Sequence, residues 1–309
     1  MMSGRLIYRS GICLILVVAL LGFQACSNDD DPVSPPTDQT GAPELPDLST
    51  MTMDLSFFGL AGVDQASVKQ GSPSPELLAA STGKDNFINA AVRVLYVHLV
   101  FFAAFEPPVA AFALAIHSIP QRQPDGSYLW TYIYVDEGID YSIFLYGKDE
   151  GDYVAWRMEV STNNPGMPLD HFVWFSGEAQ KDDTYGFWQF YEPIDGPPAM
   201  AASAGALQTP GEQSIRIDWE NQPGNIHSLT ILVNKEGAED EGNTVQFYAS
   251  PTVHYIEFTD YTTNPSGDVY DITWYADGSG SLLVPDYPPV NPGTKACWDT
   301  QQYDIVCPD

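Results

Sequence analysis

The chain has 309 residues, with 12 lysines and arginines against 41 aspartates and glutamates, a formal net charge of −29 and 13% aromatic residues. A field of that sign excludes nucleic acid as a partner and repels anionic headgroups, so a basic membrane-binding patch is excluded as well. With 44% hydrophobic residues the chain can still bury a sizeable core, and the acid bias suits solubility in a saline habitat as readily as cation binding.

The first segment carries an address. Arg5 and Arg9 precede an unbroken apolar run from Ile12 to Leu21, then Gly22-Phe23-Gln24-Ala25-Cys26 and Ser27-Asn28-Asp29-Asp30-Asp31. A basic start and a short apolar stretch make a secretory signal, and the run is too short to cross a bilayer core of about 30 Å. With acid directly after a cysteine, this N-terminus resembles that of bacterial lipoproteins, and the acidic stretch is similar to the surface-export signal of Bacteroidota lipoproteins. The resemblance covers residues 1–31 only. It implies cleavage before Cys26, a diacylglycerol on the Cys26 thiol, and an outer-membrane lipoprotein of the cell envelope held by acyl chains, on the periplasmic face or at the cell surface. Ordinary secretion is the alternative, and bulky Phe23 fits its cleavage rule poorly.

Cysteine arithmetic agrees. Loss of Cys13 with the signal leaves Cys26, Cys297 and Cys307, an odd number for an oxidising compartment, and lipidation of Cys26 leaves one pair. A hairpin folded about Gln302 brings Cys297 and Cys307 opposite each other, so a disulfide between them is expected. Neither C-x-x-C spacing nor a neighbouring histidine supports a redox or zinc role.

Residues 26–50 read as the lipidated cysteine and a solvated, acidic, proline-rich tether, and 51–309 as a single globular domain. Ser74-Pro75-Glu76 is a helix start. A second helix follows Asp85 through Ala90, Ala91, Val92, Leu95, Val97 and Leu99 until Pro107-Pro108, and a third apolar segment runs from Val109 to Ile119. Arg93, His98 and Glu106 break this stretch into pieces too short for a membrane span. Arg93 and His98 are either ligands for something in the interior or, more plainly, a snorkelling arginine and a satisfied core histidine.

From Asp125 the period switches to two, in about ten segments joined by turns such as Lys148-Asp149-Glu150-Gly151-Asp152 and Asp277-Gly278-Ser279-Gly280. Segments between 128 and 176 are apolar on both faces, whereas Ile215-Arg216-Ile217-Asp218-Trp219 and Leu229-Thr230-Ile231 alternate cleanly. The expected fold is therefore mainly β (α+β): a large antiparallel up-and-down sheet curled into an open or closed barrel. The N-terminal apolar helices form a hairpin packed on the second face of its first half.

Chemical motifs are missing. There is no G-x-S-x-G, H-E-x-x-H, G-x-x-x-x-G-K-[ST] or G-x-G-x-x-G, and five histidines are scattered singly. His171 beside Asp170 is no catalytic pair, because neighbours on a strand point to opposite faces. The acidic turns match no twelve-residue calcium loop. No catalytic residue, cofactor or metal ligand is expected. Aromatics carry the remaining signal: Trp130, Tyr132, Tyr134, Trp156 and Trp174, with His98 from the helix, either line a ligand pocket or simply pack the core. Three function classes stay open. The first is a non-enzymatic envelope lipoprotein binding a hydrophobic small molecule between sheet and helices. The others are a surface interaction or glycan-binding protein using exposed aromatics, and a hydrolase with an unrecognised site.

Overall fold

Alternation of apolar and polar residues from 121 onward produces one continuous antiparallel meander. The computed structural model describes residues 41–58, 83–102, 106–136, 138–164, 168–193, 211–262, 264–283 and 294–308. Among these, fourteen strands pair strictly in chain order. They are β1 (Gln121–Arg122), β2 (Tyr128–Asp136), β3 (Ile139–Asp149), β4 (Tyr153–Thr162), β5 (Leu169–Gln180), β6 (Tyr185–Glu192), β7 (Glu212–Gln222), β8 (Ile226–Val233), β9 (Thr244–Ala249), β10 (Val253–Asp260), β11 (Asp268–Tyr275), β12 (Gly280–Leu283), β13 (Ala296–Trp298) and β14 (Asp304–Ile305). Those beyond the ten expected segments are β6 and three pieces of two or three residues.

The connections differ between the two ends of the sheet. At one end lie tight turns, among them 123–127, 150–152, 181–184, 223–225 and 276–279; at the other, the strand ends of β6 and β7, of β8 and β9, and of β12 and β13 are separated by longer stretches of sequence. Aspartates close several tight turns by accepting hydrogen bonds from the residue two positions on: Asp125 from Ser127, Asp182 from Thr184, Asp277 from Ser279. Asn225 and Gln302 adopt positive φ in the 223–225 and 299–303 turns.

One face of every long strand enters a common core. Trp130, Leu145, Met158, Phe175, Trp188, Ile217, Ile231, Phe247, Ile256, Ile272, Leu282 and Trp298 belong to one buried cluster. Across that face runs a strap, residues 41–58. Gly41 lies against Tyr128, Thr50 accepts a hydrogen bond from Trp188 Nε1 at 3.2 Å, and Phe57 and Phe58 pack on Trp274. Met51, Met53, Leu55 and Phe58 of the strap are buried. Residues 41–50, assigned by composition to the tether, are thus part of the packed body.

Two α-helices accompany the sheet, α1 (Asp85–Phe102) and α2 (Glu106–Leu114). The tail caps the first: Asp304 carboxylate oxygens accept from Asp85 N at 3.1 Å and Asn86 N at 2.9 Å, and Asn86 Nδ2 donates to Cys297 O at 2.8 Å. Cys297 and Cys307 are disulfide-bonded across this hairpin. The described helices include none long and apolar enough to cross a membrane. The helix expected at Ser74 lies outside the described residues.

Three expectations need correction. The sheet does not close into a barrel: its end strands β1 and β14 pair only with their chain neighbours, and at two residues each they cannot carry a ladder across the gap. The helical hairpin is not supported, because α1 lies against β12, β13 and β14 while α2 meets the strap's turn at Leu48–Met51. Nor do the helices cover the second face of the first strands: Ile133 and Val135 there are 57% and 59% exposed. The apolar outward residues Phe144 and Tyr146 are instead sheltered by cross-strand neighbours, His171 with its ring centroid 4.5 Å from Phe144 and Arg157 4.9 Å over Tyr146.

Candidate functional site

Helix α1 buries Phe87, Ala90, Ala91, Val94 and Val97, a spacing that places one apolar stripe against the sheet. On the flank of that stripe, Val92, Arg93 and Tyr96 face β10 and β11 across a cleft of about 410 Å³. Val97, Ile256, Phe258, Tyr270 and Ile272 complete its apolar wall, and Arg93, Tyr96 and Asp260 supply its polar atoms. Phe258 stacks on Tyr270 with centroids 5.6 Å apart and meets the Tyr96 ring at 6.2 Å.

The polar groups are held in place. Arg93 Nη1 donates to Asn89 Oδ1 at 3.0 Å, one turn back along α1. Asp260 Oδ1 accepts from Thr262 N at 2.8 Å and from Asn243 Nδ2 at 3.3 Å. Burial, then the charges of Asp260, Asp240 and Glu239, raise the pKa of the Tyr96 phenol, so it stays a neutral donor at any physiological pH. The arrangement can hold an apolar body with a small polar end; among the described residues that line it there is no serine, cysteine or histidine to form a nucleophile–base pair.

The aromatic set read from the sequence falls into separate places. Trp130 and Trp156 are buried in the core, 5.7 Å apart. Tyr132 donates its hydroxyl to Ala111 O of α2 at 2.8 Å, and burial pushes its pKa well above the ordinary phenol value. Tyr134 and Trp174 are half-buried and each contacts Tyr141, at 5.9 and 6.2 Å. His98 sits half-buried on α1, the helix that packs on the last strands, at the far end of the strand order from β2. Cys26 lies outside the described residues. Of the cleft residues, the sequence singled out only Arg93 as a candidate; Val92, Tyr96, Phe258 and Asp260 gave no signal, since their convergence depends on how α1 crosses β10 and β11.

His171 does find a carboxylate, though not its neighbour. Its Nδ1 lies 2.9 Å from Glu159 Oε2, and Arg157 Nη2 sits 2.9 Å from the other oxygen of that buried acid. Period two places Glu159 on the outer face of β4; the β-bulge that turns His171 towards it was not legible. Among the described residues no group of three or more histidine, cysteine or acidic side chains could hold a metal ion. Comparison with protein-family models, with curated proteins and with solved structures gives no match.

Proposed function

We propose that this chain is a non-enzymatic cell-envelope lipoprotein, anchored in the outer membrane by acyl chains on Cys26, whose sheet curls about the strap and α1 and holds an apolar small molecule in the cleft beside α1. The observation that carries the ligand reading is the cleft itself: about 410 Å³ of space between helix and sheet, walled by aliphatic and aromatic side chains with one guanidinium, two phenols and one carboxylate among the described residues. That volume lies within the range of small-molecule pockets, and the few fixed polar groups suit an amphiphile with a small head. The anchor reading rests on the N-terminal run ending in Cys26 and on the even cysteine count left by its lipidation.

Two experiments separate these halves. Cys26→Ser is expected to move the protein from the membrane to the soluble fraction; retention in the membrane overturns the anchor. For the cleft, N-phenyl-1-naphthylamine, a neutral apolar fluorophore, is expected to brighten on binding the full chain, and Val92→Trp, which fills the cleft from a half-buried position, should abolish that signal with melting unchanged. An undiminished signal in Val92→Trp places the probe elsewhere and defeats the reading.

A further inference from the structure

The end of the sheet remote from Gly41 carries a second, chemically different hollow. About 490 Å³ in volume, it lies on the outer face between Gly138 and the end of β4, and Ile133, Ile139, Asp140, Ser142, Ser161 and Asn163 are among the residues that line it. Ser142 and Ser161 are opposite each other on β3 and β4, so two hydroxyls stand side by side. Ile133, paired with Ser142 and 57% exposed, contributes aliphatic surface next to them.

Local backbone irregularity fixes this arrangement. The β4–β5 ladder slips between Val160 and Thr162, and His171 adopts φ 49°, a left-handed conformation that costs a non-glycine residue on the order of 1 kcal/mol. Its amide leaves the ladder and donates to Ser161 Oγ at 2.8 Å. Ser161 Oγ therefore accepts one hydrogen bond from the protein side, and its O–H and second lone pair are left for a ligand. Thr162 Oγ1 likewise accepts from Asn164 N at 3.3 Å, shaping the rim.

The charges nearby select the ligand class. Arg157 and His171 both contact the Glu159 carboxylate at 2.9 Å, and among the described residues the charged side chain lining the hollow is the acid Asp140. Among the described residues that line it, phosphate, sulfate and sialylated ligands find no cation to receive them. An acyl chain finds a surface dense in hydroxyl, amide and carboxylate oxygen. What matches is a ligand rich in vicinal hydroxyls with an apolar C–H face: a neutral saccharide, its hydroxyls shared among Asp140, Ser142, Ser161 and Asn163 and its ring face on Ile133. We propose that this hollow is a binding site for neutral saccharides, independent of the cleft beside α1.

Saturation-transfer NMR on the full mature chain in detergent tests it, with maltotriose, cellotriose, mannotriose and chitotriose as neutral probes and sialyllactose and a sulfated disaccharide as anionic ones. Transfer to at least one neutral trisaccharide is expected, with Kd raised about tenfold or more in Asp140→Ala and in Asn163→Ala, the scale of one lost charged or amide hydrogen bond, and melting unchanged. Where Asp140→Ala melts early, the isosteric Asp140→Asn is read in its place and must weaken binding too. No transfer to any neutral probe, binding undiminished in the variants, or preference for the anionic sugars overturns the proposal.

Discussion

At the scale of single residues, four tryptophans explain four glycines. Gly147 pairs with Trp156, Gly177 with Trp188, Gly186 with Trp219 and Gly280 with Trp298, and in each case the indole lies over the glycine of the adjacent strand. A Cβ on Gly147 would sit 2.7 Å from Trp156 Cζ3, and one on Gly177 would meet Trp188 Cε3 at 2.5 Å and the Phe187 carbonyl oxygen. These glycines give room rather than turns. Gly177→Ala is expected to lower stability by about 1–3 kcal/mol through overpacking, read as a reduced urea midpoint with unchanged slope; an unchanged midpoint contradicts the pairing. The tryptophans were legible as core, but their glycine partners were not, because register is a property of two strands.

Titration belongs to the same scale. Burial holds the pKa values of His227 and His254 below the ordinary 6.5, and His254 stacks on Trp274 at 5.2 Å. The unfolded chain therefore binds protons before the fold does, so stability present above pH 6.5 is lost as pH falls through the depressed values. Hydrogen bonds from Ser127, Thr184 and Ser279 lower the pKa values of Asp125, Asp182 and Asp277 below 3.8, adding a second loss beneath that pH. Asp183 and Asp271, raised chiefly by burial, act in the opposite direction. The urea midpoint should decline between about pH 6.5 and 5, and His227→Gln with His254→Gln should flatten that decline. A wild-type midpoint constant over this range contradicts the burial of both rings.

At the scale of elements, the C-terminal tail and the strap do the joining. The Cys297–Cys307 bond closes the β13–β14 hairpin, and Asp304 within it caps α1, so one short segment fixes both the last strand and the helix that walls the cleft. Reduction, or Cys307→Ser, should cost about 2–3 kcal/mol, and Asp304→Ala about 1 kcal/mol, measured by urea unfolding. If Asp304→Ala leaves stability and helix content unchanged, the cap is idle. The pairing and the turn about Gln302 followed from cysteine count and spacing. The strap did not, because Pro43, Glu44, Pro46 and Asp47 read as solvated chain. Leu45, Met51, Met53 and Leu55 become core only because fourteen strands present a face for them to cover. The helices misled for a related reason: an apolar sequence says that a helix is covered, not which strands cover it.

At the scale of the whole molecule, the two ends of the sheet are unequal. Gly41, the first described residue of the strap, lies with the tight turns 123–127, 150–152 and 181–184, beside a polar hollow of about 510 Å³ that includes Glu44, Asp47 and Lys181. Asp260 of the cleft and Asp140 of the outer hollow belong to the opposite end. Both proposed binding sites thus reach the end of the sheet remote from Gly41. That division of labour makes ligand occupancy the property to measure first. Native mass spectrometry with solvent extraction, on the full protein and its Val92→Trp variant purified from the host, should find an apolar small molecule bound near one per chain in the wild type and absent from the variant. A wild-type protein that is empty, or a variant that carries the same molecule, contradicts the carrier function.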